Sequence, residues 1–104
     1  SLSKTLKEAS KIDEEFEVML AQLTLEEIIG LKLELASRAV NGKLYGLPVV
    51  KAMPRIAQEA ALLYAMTAAS TKMEAARFLG LSKQEFKKLS KKYGLQEYLN
   101  VAME

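Results

Sequence analysis

Apolar residues recur along this chain at spacings of three and four, the period of a helix with one face kept dry. Leu6, Ala9, Phe16, Leu20 and Leu23 fall on one stripe with acids opposite, which predicts a single amphipathic helix over residues 5–22. Thr24 followed by Glu27 has the form of a capping box, the hydroxyl accepting from one orphan amide and the carboxylate from another, so a second helix is predicted to start there. It carries Leu25, Ile28, Ile29, Leu31, Leu35, Ala36, Ala39 and Val40, an arc wider than one face. It should stop at Asn41-Gly42, where either residue can supply a left-handed C-cap.

Residues 42–53 place turn formers around a few β-formers, and Pro48 removes a donor. A loop is expected, with a short extended arm or hairpin as the alternative. A third helix is predicted from Pro54, which the first turn tolerates, to about Ala69. Its alanines permit close approach, and its scarcity of charge implies burial on several sides. Chains of this size bury about 60–70% of their unfolded surface, so two helices apolar on more than one side predict a partner copy. The plainer alternative is that they form the core of a monomer.

Composition narrows the chemistry. The 104 residues are 50% apolar and 27% charged, the balance of one globular domain, with a helical core region over 5–69 and a distinct segment over 70–95 before a short tail. There is no Cys and no His, which removes zinc fingers, thiol or imidazole nucleophiles and disulfides. Carboxylates remain, but Glu14, Glu15 and Glu17 lie close together on an exposed helix and lack the burial that shifts a pKa toward acid–base work. No enzymatic activity, metal, cofactor or small-molecule ligand is expected. No apolar run approaches the ~20 residues of a membrane helix, and no basic segment leads into an apolar one as in a signal peptide. A cytoplasmic protein is expected, in keeping with the missing cysteines. Tyr45, Tyr64 and Tyr98 lack a base-stacking spacing and are expected in core or loop packing, as are Met19, Met53, Met66, Met73 and Met103.

The net charge of +2 conceals an asymmetry. Residues 1–28 carry −4, residues 29–71 carry +3, residues 72–92 carry +5 and the tail −2. A basic segment of 21 residues behind an acidic amino end is the pattern of a module that binds a polyanion.

That basic segment has its own plan. Ala75, Ala76, Phe78 and Leu79 lie on a short predicted helix, Gly80 breaks it, Leu81 plugs the turn, and Ser82 caps a second helix that ends at Gly94. Helix, glycine turn, helix is the helix-turn-helix arrangement. Leu81, Phe86, Leu89 and Tyr93 can face inward, leaving Lys83, Lys87, Lys88, Lys91 and Lys92 outside. In such motifs the second helix enters the major groove of DNA.

Two runs, Ala75-Ala76-Arg77-Phe78-Leu79-Gly80-Leu81-Ser82 and Lys87-Lys88-Leu89-Ser90-Lys91-Lys92-Tyr93-Gly94-Leu95, together about a sixth of the chain, resemble the Fis-type helix-turn-helix family. That family comprises the nucleoid protein Fis and the C-terminal DNA-binding domains of enhancer-binding response regulators. The resemblance implies an all-α fold, an intertwined homodimer built from the preceding helices, and double-stranded DNA as partner, hence a transcriptional regulator or DNA-bending protein associated with the nucleoid. It carries DNA contacts onto Ser82 and Lys83 at the start of the recognition helix, Lys87 and Lys88 in its middle, Lys91 near its end and Thr71 ahead of the first motif helix. Lys72 and Lys92 complete the basic set.

Two positions depart from the family. Glu85 stands where a small hydroxyl residue usually faces DNA, and a carboxylate there would repel phosphate unless it accepts from a cytosine amine. Ser90 replaces a core leucine, which would hand packing to Leu89 and rotate the helix slightly. From Glu85 comes a second reading, a helical adaptor whose motif no longer binds DNA and presents its basic face to an acidic protein. Arg77 fits a surface ion pair as well as a phosphate clamp.

Overall fold

The computed structural model describes residues 1–40 and 49–95, and the regular structure among them is entirely α-helical. The elements are α1 (Leu2–Glu8), α2 (Glu14–Ala21), α3 (Leu25–Arg38), α4 (Val49–Ala68), α5 (Lys72–Phe78) and α6 (Lys83–Lys92). They fall into two compact units, one holding α1 to α3 and the other α4 to α6.

In the first unit the single helix expected over residues 5–22 is two. After α1 the Lys11 N–H donates to the Leu6 carbonyl (2.9 Å) and the Ser10 N–H to the Lys7 carbonyl (3.0 Å), with Ser10 in the left-handed region at φ 58°. This is a Schellman stop, more often built on glycine. Asp13 then caps α2, its Oδ1 accepting from the Phe16 N–H at 2.8 Å. The apolar spacing reads straight through this break because it is compatible with either arrangement; the stop lies in the backbone. Glu17 joins α2 to α1, accepting from the Ser3 hydroxyl and pairing with Lys7 Nζ at 2.6 Å. The capping box of α3 forms as expected: the Glu27 N–H donates to Thr24 Oγ1 (3.1 Å) and the Thr24 N–H to Glu27 Oε1 (2.9 Å). No residue of α1, α2 or α3 is buried. α3 ends at Arg38 with Ala39 as its C-cap, ahead of the expected stop at Asn41-Gly42; Asn41, the turn over 42–48, Tyr45, Tyr98 and Met103 lie outside the described residues.

In the second unit α4 begins at Val49, five residues ahead of the expected start, so residues 49–53 are helix and not loop. Pro54 lies inside the helix, where it denies the Val50 carbonyl a helical donor. Val50 is 83% exposed, and solvent can take the donor's place. Leu62, Ala65 and Met66 of α4 pack with Ala75 and Ala76 of α5 and Phe86 of α6, and Ala69, Leu79, Leu81, Leu89, Tyr93 and Leu95 close around them. The paired alanines remove side-chain bulk where α5 meets its neighbours, and Phe86 fills the space as the largest fully buried side chain. Tyr64 is exposed, contrary to its expected packing role, as are Met19 and Met73; Met66 alone of the described methionines is fully buried.

Candidate nucleic-acid interface

The turn joining α5 to α6 is set by local hydrogen bonds. The Leu81 N–H donates to the Ala76 carbonyl (2.9 Å) and the Gly80 N–H to the Arg77 carbonyl (3.1 Å), a second Schellman stop, with Gly80 at φ 68°. A left-handed residue is required there, and glycine adopts that conformation without strain. The same pattern ends α6, where Leu95 donates to Ser90, Gly94 donates to Lys91, and Gly94 sits at φ 70°. Each stop folds a leucine back onto the core.

Ser82 caps α6. Its Oγ accepts from the Glu85 N–H (3.1 Å), while its own N–H donates to Glu85 Oε1 (3.0 Å). Glu85 is therefore bent back onto the start of its own helix and does not stand on the outward face, as its family position suggested. The Ser82 backbone and hydroxyl hydrogen bonds hold its carboxyl below the usual carboxylate range. Thr71 caps α5 likewise, accepting from the Glu74 N–H at 3.1 Å. In both caps the hydroxyl oxygen accepts from a backbone N–H in the first turn of the helix that it starts.

The inward face of α6 follows from its packing. Phe86 and Ser90 are both fully buried, and the Ser90 hydroxyl donates to the Phe86 carbonyl at 2.7 Å. Ser90 thus keeps the core position, and the expected transfer of packing to a rotated Leu89 does not occur; Leu89 is half-buried at the edge. A serine fits because its one polar group finds an acceptor within its own helix.

With about 100° between successive residues, Gln84, Lys87, Lys88 and Lys91, all exposed, fall within one arc that faces away from Phe86. Lys83 and Lys92 lie to either side of it, and the Lys92 ammonium sits 5.6 Å from the centre of the Tyr93 ring. Of the candidate contact residues, Ser82, Lys83, Lys87, Lys88, Lys91 and Lys92 are thus gathered on α6 and its cap. Thr71 and Lys72 open α5, with Lys72 half-buried. Gln84 shares the outward face but carries no charge, and charge is the signal by which the sequence selected the others.

Among the described residues no group of three or more acids is placed to hold a metal ion, and no helix is long and apolar enough to cross a membrane. No protein-family model matches the chain, and no match is found among curated proteins or solved structures.

Proposed function

We propose that this chain is a small DNA-binding protein of the Fis type, which acts as a homodimer to regulate transcription or to shape DNA in the nucleoid. The observation that carries this reading is the outward face of α6. Lys87, Lys88 and Lys91 project from one side of a helix whose other side is anchored by Phe86 and Ser90, behind a short turn from α5. Cations held in register on a docked helix suit the regular phosphates of a duplex. No arginine lies on α6 to make a bidentate contact with guanine, so most of the affinity comes from phosphates and depends steeply on salt.

The adaptor reading drew on Glu85, whose carboxylate is occupied by the Ser82 N–H. That hydrogen bond turns the carboxylate back onto the start of its own helix, where its charge also meets the positive end of the helix dipole. Self-association is supported by the apolar residues left exposed: Leu25, Leu31 and Leu35 on α3, and Ile56, Leu63 and Tyr64 on α4. A dimer would present two copies of α6. If these lie about one helical turn apart, ~34 Å, they meet successive major grooves, and a shorter separation requires a bent duplex.

Fluorescence titration of a labelled duplex at two salt concentrations tests the reading. Binding should be tight at low salt and fall steeply as salt rises, and Lys87→Glu with Lys88→Glu should abolish it. No duplex binding at low salt, or unchanged binding by the double variant, would overturn the proposal.

A further inference from the structure

The lysines of α6 are donors only, point charges on flexible stems that suit phosphate and discriminate poorly among bases. An uncharged amide on the same face has a different capacity. We propose that Gln84 is the residue through which α6 reads base identity, and that it selects adenine in the major groove. The proposal rests on the DNA-binding reading above and adds to it a source of sequence preference.

The argument is one of position and of chemistry. Gln84 is the second residue of α6, at the end of the helix that approaches base edges in a docked helix-turn-helix. It stands on the same face as Lys87, Lys88 and Lys91, so phosphate contacts by those lysines would bring it toward the groove floor. The hydroxyl and carboxylate side chains of this helix and its cap are engaged within the chain. Glu85 accepts from the Ser82 N–H, the Ser82 oxygen accepts from the Glu85 N–H, and Ser90 is buried with its hydroxyl on the Phe86 carbonyl. Gln84 takes no part in that capping box.

A glutamine amide offers one donor and one acceptor side by side. Adenine presents the complement in the major groove, N7 as acceptor and the N6 amine as donor. Gln84 Nε2–H would donate to N7 while Oε1 accepts from N6. Guanine presents two acceptors at that edge, so the carbonyl half of the amide would meet an acceptor and lose its bond.

Two labelled 20-base-pair duplexes of alternating A·T sequence provide the test, one natural and one with 7-deazaadenine in place of adenine. The replacement removes N7 and leaves the base pairing intact. At low salt the wild-type chain should bind the natural duplex at least about fivefold more tightly, the lower end of what a bidentate base contact contributes. Gln84→Ala should bind both duplexes equally with an unchanged salt slope, since no charge is removed. Lys87→Glu with Lys88→Glu should abolish binding to both duplexes alike, since it removes the phosphate contacts on which either depends. Equal wild-type binding to the two duplexes, or a ratio that survives Gln84→Ala, would overturn the role of Gln84 while leaving the DNA-binding reading standing. Failure of the wild type to bind either duplex would overturn both.

Discussion

Helices α3 and α4 are both long, and both carry apolar arcs too wide for a single face. Yet α4 buries Leu62, Ala65 and Met66, whereas α3 buries nothing. The difference lies in what each helix meets within its own unit. α4 faces a pair of short helices with Ala75 and Ala76 cleared of bulk and Phe86 filling the space between. In the first unit α1 and α2 are only 7 and 8 residues long, and the described bonds between them run through polar groups, Ser3 and Lys7 on Glu17. A helix's apolar content therefore does not by itself make a core; a neighbour of complementary shape is also required.

The largest expected effect comes from the residue at the centre of the contrast. Phe86→Ala should cost about 3–5 kcal/mol in equilibrium denaturation, as loss of a buried aromatic usually does. Leu31→Ala on α3, 45% exposed in the single chain, should cost under about 1 kcal/mol at low protein concentration. If α3 is covered in a dimer, that cost should grow as concentration rises. Equal costs for the two variants at every concentration would remove the distinction between the units.

Ser90 sharpens the comparison from inside the second unit. Ser90→Leu restores the apolar residue that the family resemblance leads one to expect, but in a site already closed it should overpack and destabilise by about 1–3 kcal/mol. Ser90→Ala should stay within about 1 kcal/mol, because the hydroxyl bond is made within its own helix. A stabilising Ser90→Leu in thermal melts would show that the core around Phe86 has room the packing does not reveal.

The Schellman stops at Ser10 and Gly80 allow a matched test across units. Gly80→Ala should lower stability by about 1 kcal/mol through backbone strain alone, because a methyl group there meets nothing within 4 Å. Ser10→Gly should gain a similar amount in the first unit, where a side-chain-bearing residue already holds the left-handed conformation. If Ser10→Gly leaves the melting temperature unchanged while Gly80→Ala lowers it, the first unit does not contribute to the cooperative transition.

Smallest is the response to pH. The Lys7 and Ser3 hydrogen bonds hold the Glu17 carboxyl below its ordinary value of 4.5, as the Ser82 hydrogen bonds hold that of Glu85. Both ionised forms favour the folded chain, so their contributions are present in full above about pH 4.5 and fade as pH falls through the lowered folded values. The Glu17 hydrogen bond raises the Lys7 pKa above 10.5, so the contribution of Lys7 is complete below that pH and fades as the pH climbs through the raised folded value. In an acid titration followed by circular dichroism, Glu17→Gln and Glu85→Gln should each flatten the loss of helix below pH 4.5, with Glu85→Gln acting on the second unit. A titration unchanged by Glu85→Gln would mean that the charge of Glu85 does not contribute to stability.

Much of the local structure was legible in the sequence. Thr24 with Glu27, the Gly80 turn, Ser82 as a cap and the end at Gly94 all depend on bonds between residues within about one or two turns of each other. The break after α1 is not legible there, because serine holds a position where glycine is the usual signal and Asp13 sits within a run that otherwise reads as one stripe. The early start of α4 is masked by Pro54, whose residue type is most at home in a first turn. Of the candidate interface, the lysines were legible from charge. The withdrawal of Glu85 into a cap shares the spacing already recognised at Thr24 and Glu27, and was obscured by the family's habit of placing a DNA-facing residue there.

By itself the sequence determined the helical class, the caps and stops, and the concentration of positive charge in residues 72–92, since each depends on neighbours along the chain. The tertiary structure decided which apolar arc becomes a core, that Ser90 belongs inside it, and hence that Gln84 shares the outward face of α6 with three lysines. Burial requires a neighbour whose shape fits, and that neighbour lies on another helix; orientation then follows, because fixing Phe86 inward turns the opposite side of the same helix toward solvent.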